Sequence, residues 1–225
     1  IKILVDSLRK IGASIEYIDK LGYPPILIRP SKLSVNKLHI DTSKSSQFIS
    51  SLLLIAPRIP GGLEIELSGK ETSKPYIDMT VDLINKIGVK IIAKKNYFKV
   101  FELQKINPIK ISVESDWSSA SYFYSIVAMA EIGYSMTLSS FNKSSLQGDS
   151  NIAEIYKLFG VKTIYTEKKI KLEKVKSNMQ KFSYNLTSNP DLAQTICVTC
   201  LGLGYSCHLT GLHTLKIKET DRLIA

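Results

Sequence analysis

The chain has 225 residues, 44% of them hydrophobic and 22% charged, an ordinary composition for one large or two small globular domains. No apolar run approaches the roughly 18 to 20 residues that a membrane-spanning helix needs, which argues against a membrane partner. The formal charge of +10 comes from 26 lysines and 4 arginines spread along the whole length. Scattered lysines read as a solvated surface or as attraction for an anionic substrate, and the lack of an arginine cluster argues against nucleic acid.

The first predicted element is an amphipathic helix over residues 3–13, closing on Ile11-Gly12-Ala13. A hairpin then pairs 14–17 with 26–28 across Lys20-Leu21-Gly22, and a β-branched run predicts a strand at 37–41. A helix opens at Ser45-Ser46-Gln47, a strand follows at 63–67, and a second helix runs over 79–89 and closes on Ile87-Gly88-Val89. Strands at 90–93 and 98–101 lead to the polar connector Gln104-Lys105-Ile106-Asn107-Pro108, the best candidate for a domain boundary. Beyond it the pattern predicts a strand at 109–113, a helix from Ser118-Ser119-Ala120, and a strand at 136–140. A helix over 152–161 closing on Phe159-Gly160-Val161 comes next, then strands at 162–165 and 170–172. The last helix opens at Asp191-Leu192-Ala193, and a strand at 207–210 follows.

These elements are an internal repeat. The closing glycines Gly12, Gly88 and Gly160 lie 76 and 72 residues apart, and the helix starts at Ser45, Ser118 and Asp191 lie 73 and 73 apart. One unit reads strand, helix, strand, helix, strand, strand. The chain therefore holds the tail of one unit (1–29), a complete unit (36–102), a second complete unit (108–173) and the head of a fourth. Beginning at Ile1 inside a helix and stopping at Ala225 after a charged turn is expected of an excised fragment, so no targeting peptide can be read.

Three cysteines, Cys197, Cys200 and Cys207, form no disulfide framework. Cys197 and Cys200 make a C-x-x-C inside an apolar helical run. Without a second ligand pair, that spacing predicts two thiols packed on one buried helix face rather than metal or redox work. A reducing, cytoplasmic compartment is the expected home. His39, His208 and His213 show no ligand spacing, and Gly69-Lys70 lacks the first glycine of a phosphate loop.

The helix starts are the places to look for chemistry. A helix N-terminus exposes unpaired N–H groups and a partial positive charge, which suits an anion. Ser45-Ser46, Ser73 and Ser118-Ser119 place hydroxyls there, either as caps or as contacts to a phosphate-bearing ligand. Asp191 reads as an N-cap or as a general base. The run Lys216-Ile217-Lys218-Glu219-Thr220-Asp221-Arg222 reads as charged surface, or as two cations for phosphate or carboxylate with a carboxylate beside a lysine for proton transfer.

At these residues the chain resembles the 5-enolpyruvylshikimate-3-phosphate synthase family. The segments are Ser45-Ser46-Gln47-Phe48, Ser73-Lys74-Pro75-Tyr76-Ile77-Asp78, Asp116-Trp117-Ser118-Ser119-Ala120-Ser121-Tyr122, Gln147-Gly148-Asp149-Ser150, Asp191-Leu192-Ala193-Gln194-Thr195 and Lys218-Glu219-Thr220-Asp221-Arg222. They extend over nearly the whole chain in family order. The resemblance implies an α/β (α+β) fold of repeated βαβαββ units, an enolpyruvyl transferase-like two-domain architecture truncated here at both ends. Residues 1–114 would be the C-terminal part of the first domain and 115–225 the N-terminal part of the second, the whole closing on substrate at the hinge.

The implied reaction transfers the enolpyruvyl group of phosphoenolpyruvate to the 5-hydroxyl of shikimate 3-phosphate through a tetrahedral intermediate that expels phosphate, with no metal or organic cofactor. Carried over, Ser45, Ser46, Gln47, Ser73 and Tyr76 would contact shikimate 3-phosphate, and Asp191 would take the 5-hydroxyl proton. Lys218 would touch the reacting oxygen, Glu219 would exchange protons at the phosphoenolpyruvate methylene, and Arg222 would clamp phosphoenolpyruvate. The family's N-terminal Lys-Ser-x-x-x-Arg segment, Asn-Ala-Gly-Thr loop and C-terminal Asp-His-Arg segment are absent, so the fragment is expected to be inactive alone. Thr214 stands where many bacterial relatives have Asn, and that contact is not carried over. The partners implied are these two small molecules, with no nucleic acid or membrane and a monomeric parent. The rivals are the sister transferase acting on UDP-N-acetylglucosamine, an RNA 3′-terminal phosphate cyclase-like enzyme, and a noncatalytic βα-repeat binding module.

Overall fold

A computed structural model describes residues 1–41, 46–69, 74–103, 105, 107–217 and 220–224. The chain divides into two units, Ile1–Ile109 and Lys110–Ala225.

In unit 1, helix α1 (Lys2–Lys10) packs Val5 and Ile11 inward and stops at Gly12. Gly12 has φ +113°, and a Cβ there would lie 2.6 Å from the Lys32 carbonyl oxygen. Only glycine tolerates both that backbone and that approach. The hairpin β1 (Ser14–Tyr17) and β2 (Ile26–Arg29) is antiparallel, as its spacing predicts. The next elements are β3 (Lys37–Asp41), α2 (Ser46–Ile55), β4 (Leu63–Ser68), α3 (Lys74–Lys86), β5 (Ile91–Lys94) and β6 (Tyr97–Val100). They make one complete βαβαββ unit with sheet order β3-β4-β6-β5. β3 and β4 are parallel, and the other pairs are antiparallel. In β4 the side chains alternate: Leu63, Ile65 and Leu67 are buried against Ile49, Leu52 and Leu53 of α2 and Ile77 and Ile84 of α3. The other face of the sheet is polar, with Lys99 paired to Glu64 and Lys37 to Glu66, each at 2.8 Å.

In unit 2 the repeat resumes with α4 (Trp117–Met129), β7 (Ser135–Ser139), α5 (Ile152–Leu158), β8 (Val161–Thr166) and β9 (Lys169–Lys174). It continues with β10 (Lys181–Asn185), α6 (Ala193–Leu203) and β11 (Ser206–Thr210). β7-β9-β8 form an antiparallel sheet, and β10 pairs with β11 in parallel. The strand expected at 109–113 does not form. Ile109, Ile111 and Val113 alternate as a strand would, but all three are exposed, and among the described residues no strand pairs with them. Conversely β10 escapes the sequence pattern, because only Phe182 and Tyr184 are apolar within it.

The core of unit 2 is aromatic, built on Trp117, Tyr124, Tyr156, Phe159 and Phe182. A polar seam joins α4 to α6: Ser121 Oγ lies 3.0 Å from Thr195 Oγ1, and Ser125 Oγ lies 2.8 Å from Thr199 Oγ1. The Tyr156 hydroxyl also reaches Thr199 Oγ1, at 2.7 Å. Lys174, at 9% exposure, donates to the carbonyls of Ala128 (2.6 Å) and Phe159 (2.9 Å) at the C-terminal ends of α4 and α5. A cation at two helix C-termini is favourable for both macrodipoles. Among the described residues no helix is long and apolar enough to cross a membrane.

Candidate active site

Chain topology decides where polar residues gather. β3 and β4 end as register partners at Asp41 and Ser68, and α2 and α3 each begin beyond those ends. β10 and β11 likewise end as partners at Asn185 and Thr210. Asp191 follows the first of these ends and Arg222 the second. Loops beyond the carboxyl ends of parallel strands, leading into helix N-termini, are where open α/β sheets collect ligand-binding groups.

In unit 1, Ser46 is the first residue of α2, Gln47 the second, and Tyr76 the third residue of α3. The two helices are tied by Thr80 Oγ1, which is 3.0 Å from Ser50 Oγ on α2 and donates to the Tyr76 carbonyl at 2.9 Å. Gln47 is exposed and Tyr76 half-buried. The predicted contacts Ser45 and Ser73 lie outside the described residues.

In unit 2, Asp191 sits in the 3-10 turn Pro190–Leu192, whose first position is taken by a proline with no N–H to satisfy. Leu192, fully buried, seats the turn in the core and occupies the N-cap position of α6. Asp191 is therefore not the cap. Its Oδ1 instead accepts from Arg222 Nη1 at 3.0 Å, with the two side chains 30% and 23% exposed. The Arg222 amide donates to the Leu215 carbonyl at 3.0 Å, which folds this segment back over the 3-10 turn His213–Ile217. The structure thus brings together two predicted site residues 31 positions apart. Lys218 and Glu219, between them in the charged run, lie outside the described residues. Thr214 is buried, and its hydroxyl has no hydrogen-bond partner among the described residues.

The start of α4 corrects an expectation. Ser118 and Ser119 do not offer an open anion site, because Asp116 fills it: Oδ1 accepts from the Ser118 amide (3.0 Å), and Oδ2 from the Ser119 amide (3.1 Å) and hydroxyl (2.6 Å). Burial pushes the Asp116 carboxyl up, but these hydroxyl and amide donors outweigh it and hold the group below the usual carboxylate value. The Trp117 amide is taken by Gln147 Oε1 at 2.9 Å, and the Ser118 hydroxyl donates to Asp149. The cap is Asp116, so Ser118 and Ser119 are the residues capped rather than the caps.

Sequence reasoning missed the network behind this helix start. Glu114 Oε1 accepts from Trp117 Nε1 (3.0 Å) and the Asn142 amide (2.8 Å), while Oε2 accepts from Ser145 Oγ (2.7 Å). Asp149, at 1% exposure, bridges the Ser118 hydroxyl and the side-chain NH2 of Asn189. The segments Gln147-Gly148-Asp149 and Asn189-Pro190 were visible, but nothing in their spacing said that they meet.

The thiols also depart from expectation. Cys200 is buried but Cys197 is exposed, so the C-x-x-C straddles the helix face rather than lying on its buried side; Cys207 is exposed too. Burial, with the neighbouring Cys207 thiol, pushes Cys200 up to about 12. Among the described residues no group of three or more His, Cys, Asp or Glu is placed to hold a metal ion. Two clefts, of about 350 and 440 Å³, lie between helix and hairpin at α3/β5–β6 and α5/β8, and neither contains a predicted site residue.

Comparison with known proteins gives consistent results. The family model for EPSP synthase (3-phosphoshikimate 1-carboxyvinyltransferase) matches residues 1–225. A 3-phosphoshikimate 1-carboxyvinyltransferase of Bacteroides fragilis (strain YCH46) is 39% identical over 225 residues, covering 100% of this chain and 55% of the relative. One of Actinobacillus pleuropneumoniae serotype 5b (strain L20) is 39% identical over 228 residues, covering 100% and 51%. The solved EPSP synthase of Acinetobacter baumannii superposes with a TM-score of 0.67 at 20% identity, over 99% of this chain and 51% of that one, a likeness of fold. The chain spans about half the length of the curated relatives it matches.

Proposed function

The chain belongs to the EPSP synthase family, and on that premise we propose that the full-length protein transfers the enolpyruvyl group of phosphoenolpyruvate to the 5-hydroxyl of shikimate 3-phosphate, releasing phosphate. The observation that carries this reading is the Asp191–Arg222 pair, because it joins a candidate base to a candidate anion clamp beyond the ends of β10 and β11.

In this reading Asp191 takes the 5-hydroxyl proton as the oxygen bonds to C2 of phosphoenolpyruvate, and Glu219 in its acid form gives a proton to the methylene. The tetrahedral adduct then loses phosphate, and Glu219 removes a methyl proton to restore the double bond. Lys218 stabilises the reacting oxygen. Arg222 binds phosphoenolpyruvate, whose planar carboxylate or phosphate suits a guanidinium fork better than an ammonium. The pair is part-buried, with the side chains 30% and 23% exposed, so an arriving ligand can still reach both partners. An arriving dianion competes with Asp191 for the guanidinium, which couples substrate binding to the base. In unit 1, Ser45, Ser46, Gln47, Ser73 and Tyr76 bind shikimate 3-phosphate, a role supported by the shared ends of β3 and β4. Unit 1 is the end of one repeat domain and unit 2 the start of the next. A cytoplasmic, monomeric enzyme belongs to the same reading.

The test is phosphate release from phosphoenolpyruvate by the full-length protein with either acceptor. Release with shikimate 3-phosphate alone is expected. Release with UDP-N-acetylglucosamine alone would move the protein to the sister chemistry, which the family match does not favour.

A further inference from the structure

Among the described residues Asp149 is the only carboxylate buried to 1% exposure. An ionised group so placed is destabilising unless hydrogen bonds compensate. Two of its hydrogen bonds fall on places that matter: Oδ2 accepts from the Ser118 hydroxyl at the start of α4, and Oδ1 accepts from Asn189 Nδ2 at 3.4 Å. Asn189 is itself 4% exposed, and its backbone is fully committed. Its N–H donates to the Leu186 carbonyl at 3.0 Å, and its carbonyl accepts from the Leu192 amide at 3.2 Å, closing the turn that presents Asp191.

A carboxylate has no donor when ionised, so Asn189 must turn its NH2 toward Asp149 and its carbonyl oxygen away. The side chain of Asn189 is thus tethered in one orientation to Asp149, and the turn that its backbone closes is tied to the start of α4. An amide or hydroxyl at 149 could donate as well as accept and would permit either orientation.

We propose that Asp149 is a positioning residue for the transfer reaction, acting through Asn189 to fix the turn that carries Asp191. The proposal rests on the reading of Asp191 as the base. A base must lie within hydrogen-bond reach of the proton it takes, and a displacement of 1 Å can cost about 100-fold in rate. The loss should therefore appear in kcat, while affinity for shikimate 3-phosphate, assigned to the unit 1 residues, changes little.

The experiment uses the full-length protein, with kcat and KM for both substrates and the melting temperature measured on each variant. Asn189→Asp sets two carboxylates against each other, and kcat is expected to fall at least tenfold with the shikimate 3-phosphate KM within about threefold. Adding Asp149→Asn restores one carboxylate–amide pair with the roles exchanged, and kcat should recover to within about threefold of wild type. Asn189→Ala, which removes the donor alone, makes the same kcat test should Asn189→Asp fail to fold. A fall in melting temperature with kcat per folded molecule unchanged overturns the proposal, as does a kcat loss that the exchanged pair does not recover. Wild-type protein that releases no phosphate with shikimate 3-phosphate overturns both this role and the functional reading beneath it.

Discussion

The guanidinium of Arg222 donates to the carboxylate of Asp191 at 3.0 Å, so the residue expected to hold one substrate is bonded to the residue expected to deprotonate the other. Replacing Asp191 by Ala in the full-length protein removes the base and leaves the anion contacts. Turnover should fall by about 10² to 10⁴ while the shikimate 3-phosphate dissociation constant changes only a few-fold. Equal losses in steady-state turnover and in calorimetric affinity would take Asp191 out of the base role.

Arg222→Lys keeps the charge but gives up the two-pronged donor. The KM for phosphoenolpyruvate should rise about tenfold, with a smaller change for shikimate 3-phosphate. An unchanged phosphoenolpyruvate KM would confine Arg222 to its bond with Asp191.

Lys174 gives a stability prediction with a pH signature. Burial holds its amine below the ordinary value of 10.5. Between the lowered value and 10.5 the unfolded chain still binds a proton that the folded chain has released, so the stability owed to this group rises with pH. Lys174→Met removes the donor from the Ala128 and Phe159 carbonyls and should cost about 2 kcal/mol at neutral pH. In urea titrations the stability difference between wild type and variant should widen as the pH rises toward 10.5. A difference independent of pH would mean that the folded amine keeps its ordinary affinity for protons.

The closing glycines should separate by their surroundings. Gly88 has φ +91° but open space around a Cβ, so Gly88→Ala carries only the left-handed backbone cost, about 1 to 2 kcal/mol. At Gly12 and Gly160 the added carbon would also press on the carbonyls of Lys32 and Val175, and both substitutions should cost more. Thermal melts ranking Gly88→Ala as the most damaging would contradict these local geometries.

The thiols should differ in reactivity, since the thiolate is the attacking form. An aromatic disulfide reagent at pH 8 should modify Cys207 and Cys197 in the native protein, and Cys200 only after unfolding. Fast labelling of all three would place Cys200 nearer the surface than its burial indicates.

The repeat made most of the fold legible, because period, closing glycine and alternation all arise from local backbone physics. Strand β3 lies where its alternation put it, and α2 and α4 start within a residue of their serine signals. Alternation at Ile109, Ile111 and Val113 misled because a strand also needs a neighbour to bond, which no local pattern supplies. β10 was hidden by having too few apolar residues. At the site, Asp191 and Arg222 could be named from residue type and resemblance, but their contact could not, since 31 residues of chain separate them. The capping of Ser118 and Ser119 by Asp116 was readable in principle from Asp-x-Ser-Ser. The bridge of Asp149 to Asn189 was not, because tertiary packing alone brings those residues together.

The hydroxyl seam between α4 and α6 acts as a gauge. Ser121 meets Thr195 and Ser125 meets Thr199, so both bonds advance by four residues on each helix and the helices run in parallel with matched turns. Apolar side chains sliding past one another would tolerate small shifts, whereas a hydroxyl pair is lost within a few tenths of an ångström. Asp149 adds a third rung at the open end, between Ser118 and Asn189. The depth at which α6 begins is therefore measured against α4 rather than left to packing, and the Asp191 turn inherits that tolerance.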